Sequence, residues 1–137
     1  MKQTSHESMK VVHMLDAASY GAAAEGFSTA VDCKGFREMQ LSVNFGVVTA
    51  TGDVTFQAEE SDDNSTWVDI TGAAIAEKTV TNDQKTWVGH LDLTKRKRYI
   101  RTGYDVDDDA AILSIDAILS SPYDLPTTPE NTLAFDV

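Results

Sequence analysis

The sequence predicts an all-β protein, an antiparallel β-sandwich or jelly roll with extended terminal arms. Three observations carry this. Apolar residues recur with a period of two in one segment after another, the linking clusters are polar and too short for helical crossovers, and helical heptads and internal repeats are absent. A chain of 137 residues and 14.9 kDa holds one domain around one core.

The opening MKQTSHESMK is polar without alternation, so residues 1–9 read as an arm. Val11, Val12, Met14 and Leu15 predict a first strand from Lys10 to Leu15, and the small-residue stretch Ala17 to Gly26 predicts a loop with room for a short helix. Met39, Leu41, Val43 and Phe45 alternate with Gln40, Ser42 and Asn44, which puts the apolar set on one face of the clearest strand. Val54, Phe56 and Ala58 alternate with Thr55, Gln57 and Glu59. After the polar run Ser61 to Ser65, Thr66 to Ile70 is again β-rich, which spells a hairpin turning at Asp62, Asp63, Asn64 and Ser65. Thr86 to Leu93, Arg98 to Tyr104 and Ala111 to Leu119 bring the set to about seven or eight strands, a number suited to two packed sheets. The sandwich domain then covers residues 10–121.

Pro122, Pro126 and Pro129 are all the prolines of the chain, and proline cannot donate to a sheet ladder, so residues 122–137 read as an extended tail. Within it Leu133, Phe135 and Val137 alternate with Ala134 and Asp136 as in a strand that waits for a sheet edge. Together with Leu125 they are candidate contact residues. The tail has two destinations open to it, a neighbouring subunit that it would clasp or its own sheet.

Composition removes several classes of function. Hydrophobic residues at 42% and charged residues at 24% are those of a folded domain. A net charge of −11 repels phosphate backbones and anionic lipid, which argues against nucleic-acid and membrane partners. No run approaches the roughly 20 apolar residues that span a bilayer, and the first ten residues hold no apolar signal core, so neither standard secretion nor anchoring is expected. Cys33 is the only cysteine, which excludes an internal disulfide and a multi-cysteine zinc site and fits assembly in the cytoplasm.

Charge is segregated along the chain. Glu38 to Glu77 carries eight carboxylates and no Lys or Arg, whereas Lys95 to Arg101 carries five of the eleven bases. Either the two segments face each other within the fold, or Arg96, Arg98 and Arg101 meet the acidic region of another subunit. Asp105, Asp107, Asp109 and Asp116 have the spacing of a cation-binding loop, but Ala110 stands where the glycine of that loop must turn and a strand follows instead of a helix. An acidic turn is the expectation there, as it is at Asp62 to Asn64, and no metal or other cofactor is expected. His6, His13 and His90 lack metal-ligand spacing, and no nucleophile elbow, zinc-protease helix or phosphate loop is present. Cys33 reads as an inert thiol, and the chain as no enzyme. Trp67 and Trp87 could stack on a sugar but read first as core.

The segment VDCKGFREMQLSVNFGVVTATGDVTFQAEESDDNSTWVDI, followed by KRKRYIRTGY, resembles a family of small structural proteins on the heads of tailed bacteriophages. The matching residues are Val31, Asp32, Gly35, Phe36, Gly46, Thr55, Phe56, Glu59, Glu60, Ser61, Asp62, Asp63, Trp67, Asp69, Lys97, Arg98, Tyr99, Ile100 and Arg101, within a resemblance spanning residues 11 to 121. It implies a cement or decoration protein, made in the bacterial cytoplasm and placed on the capsid exterior, with the major capsid protein as partner and a homotrimer as its state. The Asp107 to Asp109 turn and the long tail depart from that family. ESDDNSTW with the later RYIR is also similar to discoidin-type sugar-binding sandwiches, which would make a glycan the partner. Those sandwiches bridge their ends with cysteines, and this chain has one.

Overall fold

The computed structural model describes residues 8–49, 51–79, 81 and 84–123. Nine strands follow one another: β1 (Met9–Tyr20), β2 (Ala24–Phe27), β3 (Val31–Asp32), β4 (Phe36–Val48), β5 (Asp53–Ser61), β6 (Val68–Thr79), β7 (Thr86–Asp92), β8 (Tyr99–Asp107) and β9 (Ala111–Pro122). They form two antiparallel sheets, β1-β9-β4-β7 and β2-β8-β5-β6, with β3 also on β8. When β2 and β3 are taken as one interrupted strand, the pairs nest as first with last, second with next to last, and so inward to the β5–β6 hairpin. That nesting is the strand order of a jelly roll.

The alternation expected from the sequence builds the core. Met39, Leu41, Val43 and Phe45 of β4 and Leu113, Ile115, Ala117 and Leu119 of β9 are buried against Val54, Phe56 and Ala58 of β5 and Ile100 and Val106 of β8. The rings of Phe45 and Phe56 meet edge to face at 5.3 Å across the two sheets. Each such large side chain contributes about 1.5–3 kcal/mol on burial, which is what locks the register.

Three expectations need correction. The stretch Ala17 to Gly26 is mostly strand: β1 runs on to Tyr20 and β2 begins at Ala24. The reason is backbone pairing, Ala18 with Leu113 and Tyr20 with Ala111, along a β1 whose register shifts twice and whose small residues face solvent without alternation. β6 extends to Thr79 past a bulge, because Gln57 pairs with Ala74 but Glu59 with Asp69. Gly72 at φ +82 sits in that bulge, and Gln57 Nε2 donates to the Ala58, Ile70 and Ala73 carbonyls to hold it. Pro122 belongs to the end of β9 opposite Phe36, a terminal position where its missing N–H costs no ladder bond. The next residue, Tyr123, donates its N–H to the Gly35 carbonyl at 2.8 Å.

Candidate interaction surfaces

The basic segment enters β8 directly opposite the acidic end of β5, Ser61 against Tyr99 and Glu59 against Arg101. Arg101 Nε donates to Glu59 Oε2 at 2.6 Å, and its guanidinium lies 3.6 Å from the Phe27 ring and 4.3 Å from the Trp67 ring. Arg98 holds Asp32 with two bonds of 2.9 and 2.6 Å; the bond pushes the Arg98 pKa up and draws the Asp32 carboxyl below its ordinary range. Arg96 reaches Glu60 at 3.5 Å, the Lys97 N–H donates to the same carboxylate at 3.0 Å, and Lys97 Nζ lies 3.2 Å from Asp62. Of the two arrangements open to Arg96, Arg98 and Arg101, the fold contains the intramolecular one. Leu125, Leu133, Phe135 and Val137 lie outside the described residues, as does His6.

The turn after β5 is closed by one carboxylate. Asp63 accepts from the backbone N–H of Thr66 and Ser65, at 2.8 and 2.9 Å, and from the Ser61 hydroxyl, which together hold it far below the usual carboxylate range. Asn64 beside it takes φ 58, a conformation Asn tolerates. Most of the motif residues named above thus converge on one contact network where β3, β5 and β8 meet. Their pattern encodes a framework of charge pairs and ring contacts.

The opposite end of that sheet is acidic. Asp53 is pushed up by desolvation first and then by the charges of Glu77, Asp107, Asp108 and Asp105. Asp116 stands apart on β9, 3.1 Å from His13 Nδ1, while His13 Nε2 meets Asp16 at 2.8 Å. The loop-like aspartate spacing therefore does not gather into a cation site, and among the described residues no group of three His, Cys, Asp or Glu is placed to hold a metal. Cys33 is buried and its thiol is pushed up to about 12 by burial and by Asp32, which keeps it in the protonated form at neutral pH. Trp67 and Trp87 each carry a cation over the ring, Arg101 at 4.3 Å on the first and Lys78 at 4.4 Å on the second.

One surface was not read from the sequence. The two sheets part between their edge strands β6 and β7, leaving an open groove of about 440 Å³. Its floor is Leu41, Val43, Phe56, Ala58 and Ile70, with the Gly72 bulge on one bank and Gly89 and Leu91 on the other. The Thr102 hydroxyl, buried in the floor, has no partner among the described residues. Gly72 and Gly89 inside strand-like segments were the available signal, since such glycines mark bulges and close approaches.

No protein-family model matches the sequence and no curated relative is found. The fold, an all-β jelly-roll sandwich, is shared with solved structures. The PBSX exported protein XepA superposes with a TM-score of 0.63 at 17% identity, over 100% of this chain and 46% of that one, so the chain spans less than half of XepA. The SPBc2 prophage-derived protein YomS superposes with a TM-score of 0.53 at 13% identity, over 82% of this chain and 93% of its own. No helix among the described residues is long and apolar enough to cross a membrane.

Proposed function

We propose that this chain is a structural protein of a tailed-phage particle, which binds the capsid exterior across neighbouring major capsid subunits as a homotrimer and stabilises the shell. The observation that carries the reading is the ordered motif set of the head-protein resemblance, whose members meet in one charged framework joining β3, β5 and β8. Likeness of fold to a prophage-derived protein supports the same reading. The work is mechanical: a rigid sandwich adds contact free energy and makes or breaks no bond, needs no cofactor, and has no nucleic-acid or membrane surface. Charge complementarity would set register on the shell more than affinity.

The test is co-sedimentation of the purified protein with heads of the encoding phage that lack it, followed by cryo-EM. Saturable binding with density at three-fold or local three-fold positions is expected. Absence of binding, or recovery of the protein only from the medium, overturns the reading and favours the exported role that XepA carries in its name. Binding on a glycan array with no capsid binding would favour the sugar-binding class.

A further inference from the structure

We propose that the groove between β6 and β7 is a binding site for a neutral small molecule, with an apolar body that lies between the sheets and one hydrogen-bonding group that meets the Thr102 hydroxyl. This goes beyond the capsid reading and does not rest on it.

A sandwich core is normally filled by its own side chains to the density of an organic crystal. Here the filling stops short along one border. β6 and β7 are edge strands, each paired on one side only. Small residues line the space between them: Ala58 on β5, Gly72 and Ala74 on β6, and Gly89 on β7. The volume of about 440 Å³ falls in the range of small-molecule sites, about 300–1,000 Å³. Leu41, Val43, Phe56 and Ile70, all buried core residues, give the floor its apolar contact surface.

The buried polar groups narrow the ligand. Among the described residues three polar side chains are buried, those of Ser28, Ser61 and Thr102. Ser28 Oγ donates to the Thr29 carbonyl, and Ser61 Oγ donates to Asp63. Thr102 has both backbone groups satisfied by Ser28, yet its own hydroxyl has no partner. It stands opposite Ala58 in the β5–β8 ladder, and both residues line the floor. Trp87 Nε1, the other buried side-chain atom without a partner, does not belong to the lining. A buried hydroxyl left unpaired destabilises the fold, and a ligand group that bonds it removes that cost on binding.

Charge on the rim is already met. Lys95 Nζ lies 3.4 Å from Asp92 and Arg96 Nη1 lies 3.5 Å from Glu60, which leaves His90 as the one other titratable residue of the lining. An ionic ligand would compete with these pairs and find no counter-charge on the floor, so it would lose its hydration without return. A neutral ligand meets the floor and leaves the rim as it is.

The test is fluorescence titration of the full-length protein with N-phenyl-1-naphthylamine, a neutral aromatic amine with one N–H that brightens in apolar surroundings. The natural protein should bind it saturably, one per chain. A Cβ added at Gly89 meets nothing nearer than Leu41 Cβ at 3.9 Å, so Gly89→Leu can fill the groove from its bank and should abolish the signal. Thr102→Val keeps the shape and removes the hydroxyl. It should weaken binding about three- to tenfold, while its unfolding midpoint without the probe stays equal to that of the natural protein or rises. 1-Nonanol should displace the probe from the natural protein, and nonanoate, the charged molecule of the same length, should do so at least about tenfold less well. No saturable signal in the natural protein, an undiminished signal in Gly89→Leu, equal affinity in Thr102→Val, or displacement by nonanoate as good as by nonanol overturns the proposal. Binding that is lost as the protein is concentrated overturns it too and assigns the groove to a second copy. Failure of capsid binding in the experiment above leaves these readouts unmoved.

Discussion

At the scale of single residues, Arg101 joins one carboxylate and two aromatic rings. Its charge is met by Glu59 and its guanidinium lies against the Phe27 and Trp67 rings, with the Arg101 and Glu59 side chains only 20% and 15% exposed. Removing the guanidinium leaves a mostly covered carboxylate and two unstacked rings, so Arg101→Ala is expected to cost about 2 kcal/mol in chemical denaturation. Arg101→Lys should recover only part, because an ammonium cannot fill the stacked slot and hold Glu59 with the same geometry. A loss equal to that of a solvated arginine would show that the slot contributes nothing. Asp63 makes a prediction with a sign. Its carboxyl is held down by bonds to Thr66, Ser65 and Ser61, so its contribution is present above the ordinary value of 3.8 and is lost as pH falls through the depressed folded value. Asp63→Ala should therefore melt lower than the natural protein at neutral pH, and the gap should narrow in strong acid. The sequence announced a turn at Asp62 to Ser65 and segregated charge, but the pairing of Arg98 with Asp32, 66 residues away, depends on β3 meeting β8, which no local pattern encodes.

At the scale of elements, what was legible follows from burial. Strands with one buried face, such as β4 and the hairpin of β5 with β6, carry period-two alternation because a single residue of slip would expose the whole set. The second half of β1 carries none, since its outer residues are small and its partner supplies the order through the backbone, and it reads as loop. Nor could the edges be read, because whether β7 has a neighbour is a property of topology. Glycine positions are the exception that a closer reading can use. At Gly46 on β4 an added Cβ would stand 2.9 Å from both Cβ and Cγ2 of Ile112 on β9, atoms near the backbone that cannot swing away. Gly46→Ala should thus cost about 1–3 kcal/mol. In a double-mutant cycle Ile112→Gly should return part of that loss, and an additive cycle would mean that the close approach is not the cause.

At the scale of the whole molecule, charge is distributed along the sandwich axis. One end sets Arg96, Lys97 and Arg98 against Glu60, Asp62 and Asp32, and the other gathers Asp53, Glu77, Asp105, Asp107 and Asp108 without an equivalent set of bases. The net charge of −11 is thus concentrated toward one end. Asp53 is raised above 3.8 by desolvation and its acidic neighbours, so its charged form is disfavoured in the fold and the penalty lifts as pH falls toward that value. His13 is raised above 6.5, first by its bond to Asp16 and then by Asp116, so its stabilising link between β1 and β9 is full below 6.5 and is lost as pH rises through the folded value. In both cases the folded state binds more protons than the unfolded one, and stability falls as pH rises. The protein should accordingly be more stable at about pH 5.5 than at about pH 8 in denaturant titrations run at low salt, where screening is weak. His13→Ala should lower stability at the lower pH and so flatten the profile, whereas Asp53→Asn should raise stability wherever Asp53 is charged, above its folded value. Added salt should raise the stability of the natural protein at pH 8 more than that of Asp53→Asn. A profile that is flat or rises toward alkaline pH in the natural protein would show that the His13 link has no hold on the fold, and an equal salt response in Asp53→Asn would show that the acidic end is relaxed by solvent.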